Sequence, residues 1–271
     1  MSCAWDETHP SCSRPDGPTP ADIVATAPSV LEVPYGGSVH NATFWVTTRS
    51  RPLLTVAAFN AGGHLNRFRQ RELRFALLEQ CRRAGPPHCK LVSLGGRYSL
   101  WTDQDGRGRL GNVLQQLGRA RFSLQPAGDD PARKSIIDSL TQGCIPVLFH
   151  EAQRRLWRLH WGEWANESHV YIPHERVIDG TANVMRLLEQ IPLERVEAMQ
   201  RTIARRAHQL VYSLSPSPAG AFNILARAVL RRQKQRQTRL QREESSIGPT
   251  TTKVGNARAE QAAQLPIPRW T

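Results

Sequence analysis

The feature that most restricts the fold is a set of short apolar runs without polar alternation. Leu53–Phe59 (LLTVAAF), Cys89–Leu94 (CKLVSL), Arg121–Gln125 (RFSLQ) and Cys144–Phe149 (CIPVLF) each have strand length. A strand wetted on one face alternates apolar with polar, whereas a strand covered on both faces does not. Stretches with helical spacing separate the runs: Phe68, Leu73, Leu77 and Leu78 after the first, and Leu110, Val113, Leu114 and Leu117 after the second. Strands alternating with amphipathic helices predict an α/β fold, a parallel sheet clothed by helices on both faces. Val170–Pro173 (VYIP) adds a short fifth strand, and helices are expected over about 181–190, 192–213 and 219–242.

The predicted organisation follows composition. Residues 1–50 are rich in Pro, Ser, Thr and Gly and read as loops; 51–215 form the α/β domain; 216–244 form a basic helix; 245–271 are polar without periodicity and read as a disordered tail. Lys and Arg number 36 against 23 Asp and Glu, a net charge of +13, which favours an anionic partner. Much of that excess sits on the terminal helix, where Arg231–Arg242 (RRQKQRQTRLQR) is strongly basic. No aromatics are interleaved there for base stacking, so a solvated helix is expected rather than a nucleic-acid contact. No apolar run reaches membrane length, and the first residues carry no leader pattern.

Five cysteines (Cys3, Cys12, Cys81, Cys89, Cys144) show no paired metal spacing, and no His/Asp/Glu cluster suggests a metal. Cys81 and Cys89 flank RRAGPPH, a turn that could let a helix end and a strand start be stapled together. Asn41-Ala42-Thr43 and Asn166-Glu167-Ser168 are glycosylation candidates for a secretory compartment.

The segment Gly128–His150 (GDDPARKSIIDSLTQGCIPVLFH) joins a glycine loop, a helix and a buried strand. Asp130 can cap the helix, Pro131 suits its first turn and Gly143 its end. Loops at the carboxyl ends of parallel strands line the ligand crevice of such sheets, and a helix N-terminus there attracts phosphate. Arg133 and Lys134 oppose the helix dipole unless an anion sits beside them. Asp138, about 12 Å beyond Asp130 along the helix, could accept bonds from sugar hydroxyls. The alternative is a surface helix with an i, i+4 Lys134–Asp138 pair. Asn60–Gly63 (NAGG), followed by Arg67, Arg69, Arg71 and Arg74, forms a second loop at the same edge, with a tight turn before a solvated basic helix as the plainer reading.

Other signals are negative. Gly106–Gly111 spells GxGxxG but follows no strand, and no GxxxxGK[ST], HExxH or GxSxG occurs. His150, at a strand end, is the one histidine placed for chemistry; His160, His169 and His174 read as structural, and Trp157, Trp161 and Trp164 as packing.

RFSLQPAGDDPARKSIIDSLTQGCIPVLFH, Arg121–His150, resembles the signature of the exostosin-like glycosyltransferases, glycosyltransferase family 47, and most nearly its plant xyloglucan galactosyltransferase branch. VPY (Val33–Tyr35), RPLLTVAAF, RELRFALLEQC, VYIP and QIPLERVEAMQ extend the likeness in order over roughly residues 30–230. The resemblance implies a Rossmann-like domain over 51–215, the C-terminal donor-binding half of a GT-B enzyme, with residues 1–50 a remnant or linker of the N-terminal domain. It implies transfer of a hexose such as galactose, with inversion, from a nucleotide-sugar donor such as a UDP-sugar to a polysaccharide or glycan acceptor. No cofactor or metal is expected. Carried over by position, Arg74 and Arg133 or Lys134 contact the diphosphate, Gly128 and Asp129 line the sugar-diphosphate loop, and Asp138 faces the ribose. The resemblance names no catalytic base in this stretch. It further implies a Golgi lumenal, type II membrane protein whose anchor and N-terminal domain lie outside the sequence given. Lys134 stands where a second Arg is usual, Ser123 where Cys is common and Gln142 where a small residue is usual.

Overall fold

The computed structural model describes residues 51–60, 70–92, 109–128, 131–212 and 220–246. Five parallel strands form one sheet: β1 (Leu53–Ala57), β2 (Cys89–Leu91), β3 (Ala120–Gln125), β4 (Ile145–Leu148) and β5 (Val170–Tyr171), in the order β2-β1-β3-β4-β5. Three of the four runs that lack alternation are its central strands β1, β3 and β4, the fourth is the edge strand β2, and β4 is buried at all four positions. Register aligns Phe122 with Ile145 and Leu124 with Val147, so large apolar side chains stand side by side across β3 and β4, while the smaller Thr55 and Ala57 of β1 face Phe122 and Leu124.

Helix α1 (Gln70–Ala84) joins β1 to β2, α2 (Arg109–Arg119) joins β2 to β3, and α3 (Lys134–Thr141) joins β3 to β4. The chain steps outward from β1 to β2 and then back past β1 to β3. Right-handed crossovers therefore place α1 on one face and α2 with α3 on the other. Packing agrees: α1 touches α4 (His174–Ile178) and α5 (Val184–Glu189), while α2 touches α3. Helix α6 (Leu193–Arg206) tightens into a 3-10 turn over Ala207–Leu210, where the sequence suggests helix to about residue 213. The last helix, α7, spans Ala221–Ser246, and the chain divides into two units between Ala228 and Val229.

A buried arginine and a disulfide fasten the sheet. Arg51 is only 1% exposed; it donates to the carbonyls of Leu117 and Ala120 at 3.0 and 2.8 Å and to that of Gln142 at 2.8 Å. It thus ties the amino end of β3 to the end of α2 and the end of α3. Burial lowers its pKa, and the neighbouring Cys144 thiol is pushed up to about 12, so the cysteine stays neutral beside it. Cys81 and Cys89 form a disulfide, stapling the end of α1 to the start of β2.

Helix α3 departs from expectation. It opens at Lys134, not Pro131, and its N-cap is Arg133 in extended conformation without a side-chain cap bond. Asp130 is therefore not the cap; with Asp129 it lies outside the described residues. The physical reason is that 131–133 bond elsewhere: Gln153 Nε2 reaches the Pro131 carbonyl and Arg133 Nη1 the Pro126 carbonyl. The far end matches expectation, with Gly143 at φ 69 and the Cys144 amide donating to the Ser139 carbonyl.

Between β4 and β5 the chain winds through 3-10 turns built on tryptophan. Trp161 is fully buried and its indole N–H donates to the Ser168 hydroxyl at 2.8 Å, while Trp164 donates to the His160 carbonyl. His160 and His169 are buried among them and bond to the carbonyls of Ala221 and Ala165. His150 ends β4 and caps the turn Glu151–Arg155, its Nδ1 accepting from the Ala152 amide at 3.1 Å. Burial lowers the pKa of all three histidines first; for His150 the neighbouring His174 lowers it further, while Glu175 and Glu151 raise it.

Two outcomes follow. Arg51→Leu leaves three core carbonyls without their donor, so urea unfolding should show a loss of about 3 kcal/mol or more at unchanged m. Because the histidines fold with depressed pKa values, their stabilisation is complete above about pH 6.5 and is lost as pH falls toward the lowered values. Thermal melts from about pH 7 to about pH 5 should show falling Tm, and His150→Asn, which keeps a capping acceptor but cannot titrate, should flatten that slope.

Candidate functional site

In an open parallel sheet the crevice opens where strand order reverses, outside the carboxyl ends of the two strands that flank the reversal. Here those strands are β1 and β3. Arg74 spans the gap between them. It lies on the buried stripe of α1 with Gln70, Leu73, Leu77 and Cys81, which directs it over the sheet edge. Its Nη1 donates to the Asn60 carbonyl beyond β1 at 2.6 Å; Nη2 and Nε donate to the Ala127 carbonyl beyond β3 at 2.7 and 3.2 Å. The guanidinium also lies 5.7 Å from the centre of the Phe59 ring.

Arg133 reaches the same loop from the other side, its Nη1 donating to the Pro126 carbonyl at 2.8 Å. Desolvation, then repulsion from Arg74, lowers its pKa to about 10, so it remains charged at neutral pH. Two cations held this close on adjacent carbonyls repel each other, and an anion beside them relieves that repulsion. Helix α3 begins one residue later, and the positive end of its dipole adds to the potential at the same point.

The other predicted donor residues fall as follows. Gly128 closes the described part of the β3 loop, and Asp129 lies outside the described residues. Lys134 and Asp138 pair with each other, Nζ to Oδ1 at 2.6 Å, with Asp138 buried and the lysine side chain 44% exposed. Arg71 is exposed and lies over the Phe75 ring rather than toward the crevice; Gly62, Gly63, Arg67 and Arg69 are outside the described residues. Asn166 is exposed on the 3-10 turn Ala165–Glu167, and Asn41 lies outside the described residues. Among the described residues no group of three His, Cys, Asp or Glu could hold a metal ion. His150 and His174 stack at the carboxyl ends of β4 and β5, ring centroids 5.6 Å apart.

A buried polar network under the crevice has no counterpart in the sequence reading. Ser123 and Ser139 bond at 2.8 Å, Gln125 Nε2 donates to Ser139, and Ser135 donates to Gln125 Oε1. Gln153 accepts from the amides of Phe149 and His150 and donates to the Gln125 carbonyl at 2.9 Å. The network rivets α3, and with it Arg133, to the ends of β3 and β4. A glutamine closing an otherwise apolar strand, with serine one turn apart on the next helix, is the signal that could have disclosed it.

Residues 26–202, more than half of the chain, match the Exostosin GT47 domain. The chain is 32% identical over 113 residues to a probable xyloglucan galactosyltransferase (GT19) of Arabidopsis thaliana, covering 41% of this chain and 26% of that protein. It is 29% identical over 124 residues to the xyloglucan galactosyltransferase MUR3, covering 44% and 20%, and 34% identical over 143 residues to xyloglucan-specific galacturonosyltransferase 1, covering 52% and 20%, both of Arabidopsis thaliana. The matched stretch thus spans 20 to 26% of each of these relatives. On the extent of the domain match, the chain belongs to the exostosin GT47 family.

Proposed function

We propose that this chain carries the donor-binding half of a glycosyltransferase that transfers a sugar from a nucleotide diphosphate to a polysaccharide. The observation that carries this reading is the placement of Arg74 and Arg133 at the β1/β3 reversal beside the N-terminus of α3. Family membership and the xyloglucan-modifying names of the relatives support the polysaccharide acceptor.

The two guanidiniums and the α3 N-terminus hold the diphosphate, and their positive charge stabilises it as it leaves. That is the electrostatic role a metal fills elsewhere, so the reading needs no metal. Asp138, one helical turn deeper and tied to Lys134, is the carboxylate we assign to the ribose. The acceptor hydroxyl attacks the anomeric carbon with inversion, its proton passing to a base that these residues do not supply. Galactose is the favoured sugar, because the similar Arabidopsis proteins include xyloglucan galactosyltransferases. A Golgi lumenal site is supported by the Cys81–Cys89 disulfide and the exposed Asn166 sequon, both suited to a secretory compartment. No helix among the described residues is long and apolar enough to cross a membrane.

Titration calorimetry with UDP tests the reading. The native chain should bind, Arg133→Gln should weaken binding at least about tenfold, and Asp138→Asn should weaken uridine diphosphate while sparing pyrophosphate. Equal affinity of native protein and Arg133→Gln, with both folded by circular dichroism, would reject the site.

A further inference from the structure

The last part of α7 is a helix that packing does little to hold. Residues 233–243 are exposed throughout, so the stretch gains little from tertiary contact. It carries cations at positions 231, 232, 234, 236, 239 and 242. Several stand three or four residues apart: Arg231 and Lys234, Arg232 and Arg236, Arg236 and Arg239, Arg239 and Arg242. Like charges at that spacing oppose a helix. Among the described residues the ion pair within this set is Arg239 with Glu243, at 2.7 Å. Negative charge brought from outside therefore stabilises the stretch.

Four of the cations share a side. Arg231, Lys234, Arg239 and Arg242 fall within an arc of about 140° on the helical repeat. With Gln235 and Thr238 they line one open strip of surface. Thr238 Oγ1 is turned to the Lys234 carbonyl at 3.0 Å, whereas the Gln235 amide, both donor and acceptor, is exposed. The opposite side mixes Val229 and Leu240 with Gln233, Gln237 and Arg236, so it offers lipid no apolar stripe. Charge complementarity then selects the partner. Between Arg231 and Arg242 the four cations average one per helical turn, a rise of about 5.4 Å. A pyranose ring in an extended polysaccharide advances by a similar length, so successive uronate carboxylates come at the spacing of successive cations. A planar guanidinium meets a planar carboxylate at two points, and the Gln235 amide can serve ring hydroxyls. The strip holds no aromatic side chain on which a nucleobase could stack.

We propose that this side of α7 binds an acidic polysaccharide through its uronate carboxylates. The choice of a glycan as the polyanion rests on the proposed polysaccharide-building role in a secretory lumen; the basic strip itself does not. Biolayer interferometry of the full chain over immobilised polygalacturonate tests it, with the fully methyl-esterified polymer as the uncharged counterpart. The native chain should bind the polyuronate but not the ester, and release as salt rises. Replacing Arg231, Lys234 and Arg242 by Gln should weaken binding at least about tenfold. Replacing the exposed Arg195, Arg205 and Arg206 by Gln removes the same charge from α6 and should leave binding within about twofold. Both variants should keep the native affinity for UDP. Failure of the native chain to bind UDP would strike the proposed activity and leave the measured polyuronate binding as it is. Failure to bind polygalacturonate overturns the proposal. So does equal binding of the ester, equal weakening by the α6 variant, or tighter binding to polyadenylate at matched charge.

Discussion

The hydrogen bonds from Arg74 to Asn60 and Ala127 are the constraint on which the rest of the crevice depends. Parallel strands are bonded along their length but not beyond their ends, so at a reversal of strand order nothing in the ladder holds the two departing loops together. A rigid planar guanidinium with several donors can bond carbonyls on both loops at once, and its buried position makes those bonds count. Arg133 then joins the same loop, and the serine–glutamine network under it fixes the helix from which it comes. The charge offered to an anion is therefore carried by groups already immobilised, so little ordering remains to be done when a ligand arrives.

Arg51 plays the complementary part at the other end of β3. It too answers backbone carbonyls, those at the end of α2, the start of β3 and the end of α3. Both arginines sit where helices and strands finish and their carbonyls would otherwise be unsatisfied in a dry interior. The difference between them is location alone. Arg51 lies at the amino edge, where a parallel sheet holds no ligand, and Arg74 at the carboxyl edge, where it does. One is a fastening, and the other is a fastening that also faces the crevice.

The sheet was legible because burial on both faces erases alternation, and that signature survives in Leu53–Ala57, Ala120–Gln125 and Ile145–Leu148. The turn at Gly143 was legible because a left-handed residue after a helix favours glycine. The start of α3 was not. Asp130 and Pro131 are good opening residues locally, but Gln153, twenty-two residues on, and the Pro126 carbonyl bind the same stretch. Nothing local foretells a competitor that arrives through tertiary contact. The same limit applies to Arg74. Its place on the buried stripe can be read from spacing with Leu73 and Leu77, whereas its two carbonyl partners come from loops after different strands.

The turn that holds Trp161 has a bearing on timing. Ser168 completes the Asn166-Glu167-Ser168 triplet, yet its hydroxyl is fully enclosed, accepting from the Trp161 indole and donating toward the carbonyls of Trp164 and Ala165. An enzyme that reads that hydroxyl meets it only while the segment is still unwound. Any sugar tree on Asn166 therefore belongs to the nascent polypeptide, and the tryptophan turn, once shut, fixes the occupancy for the lifetime of the molecule.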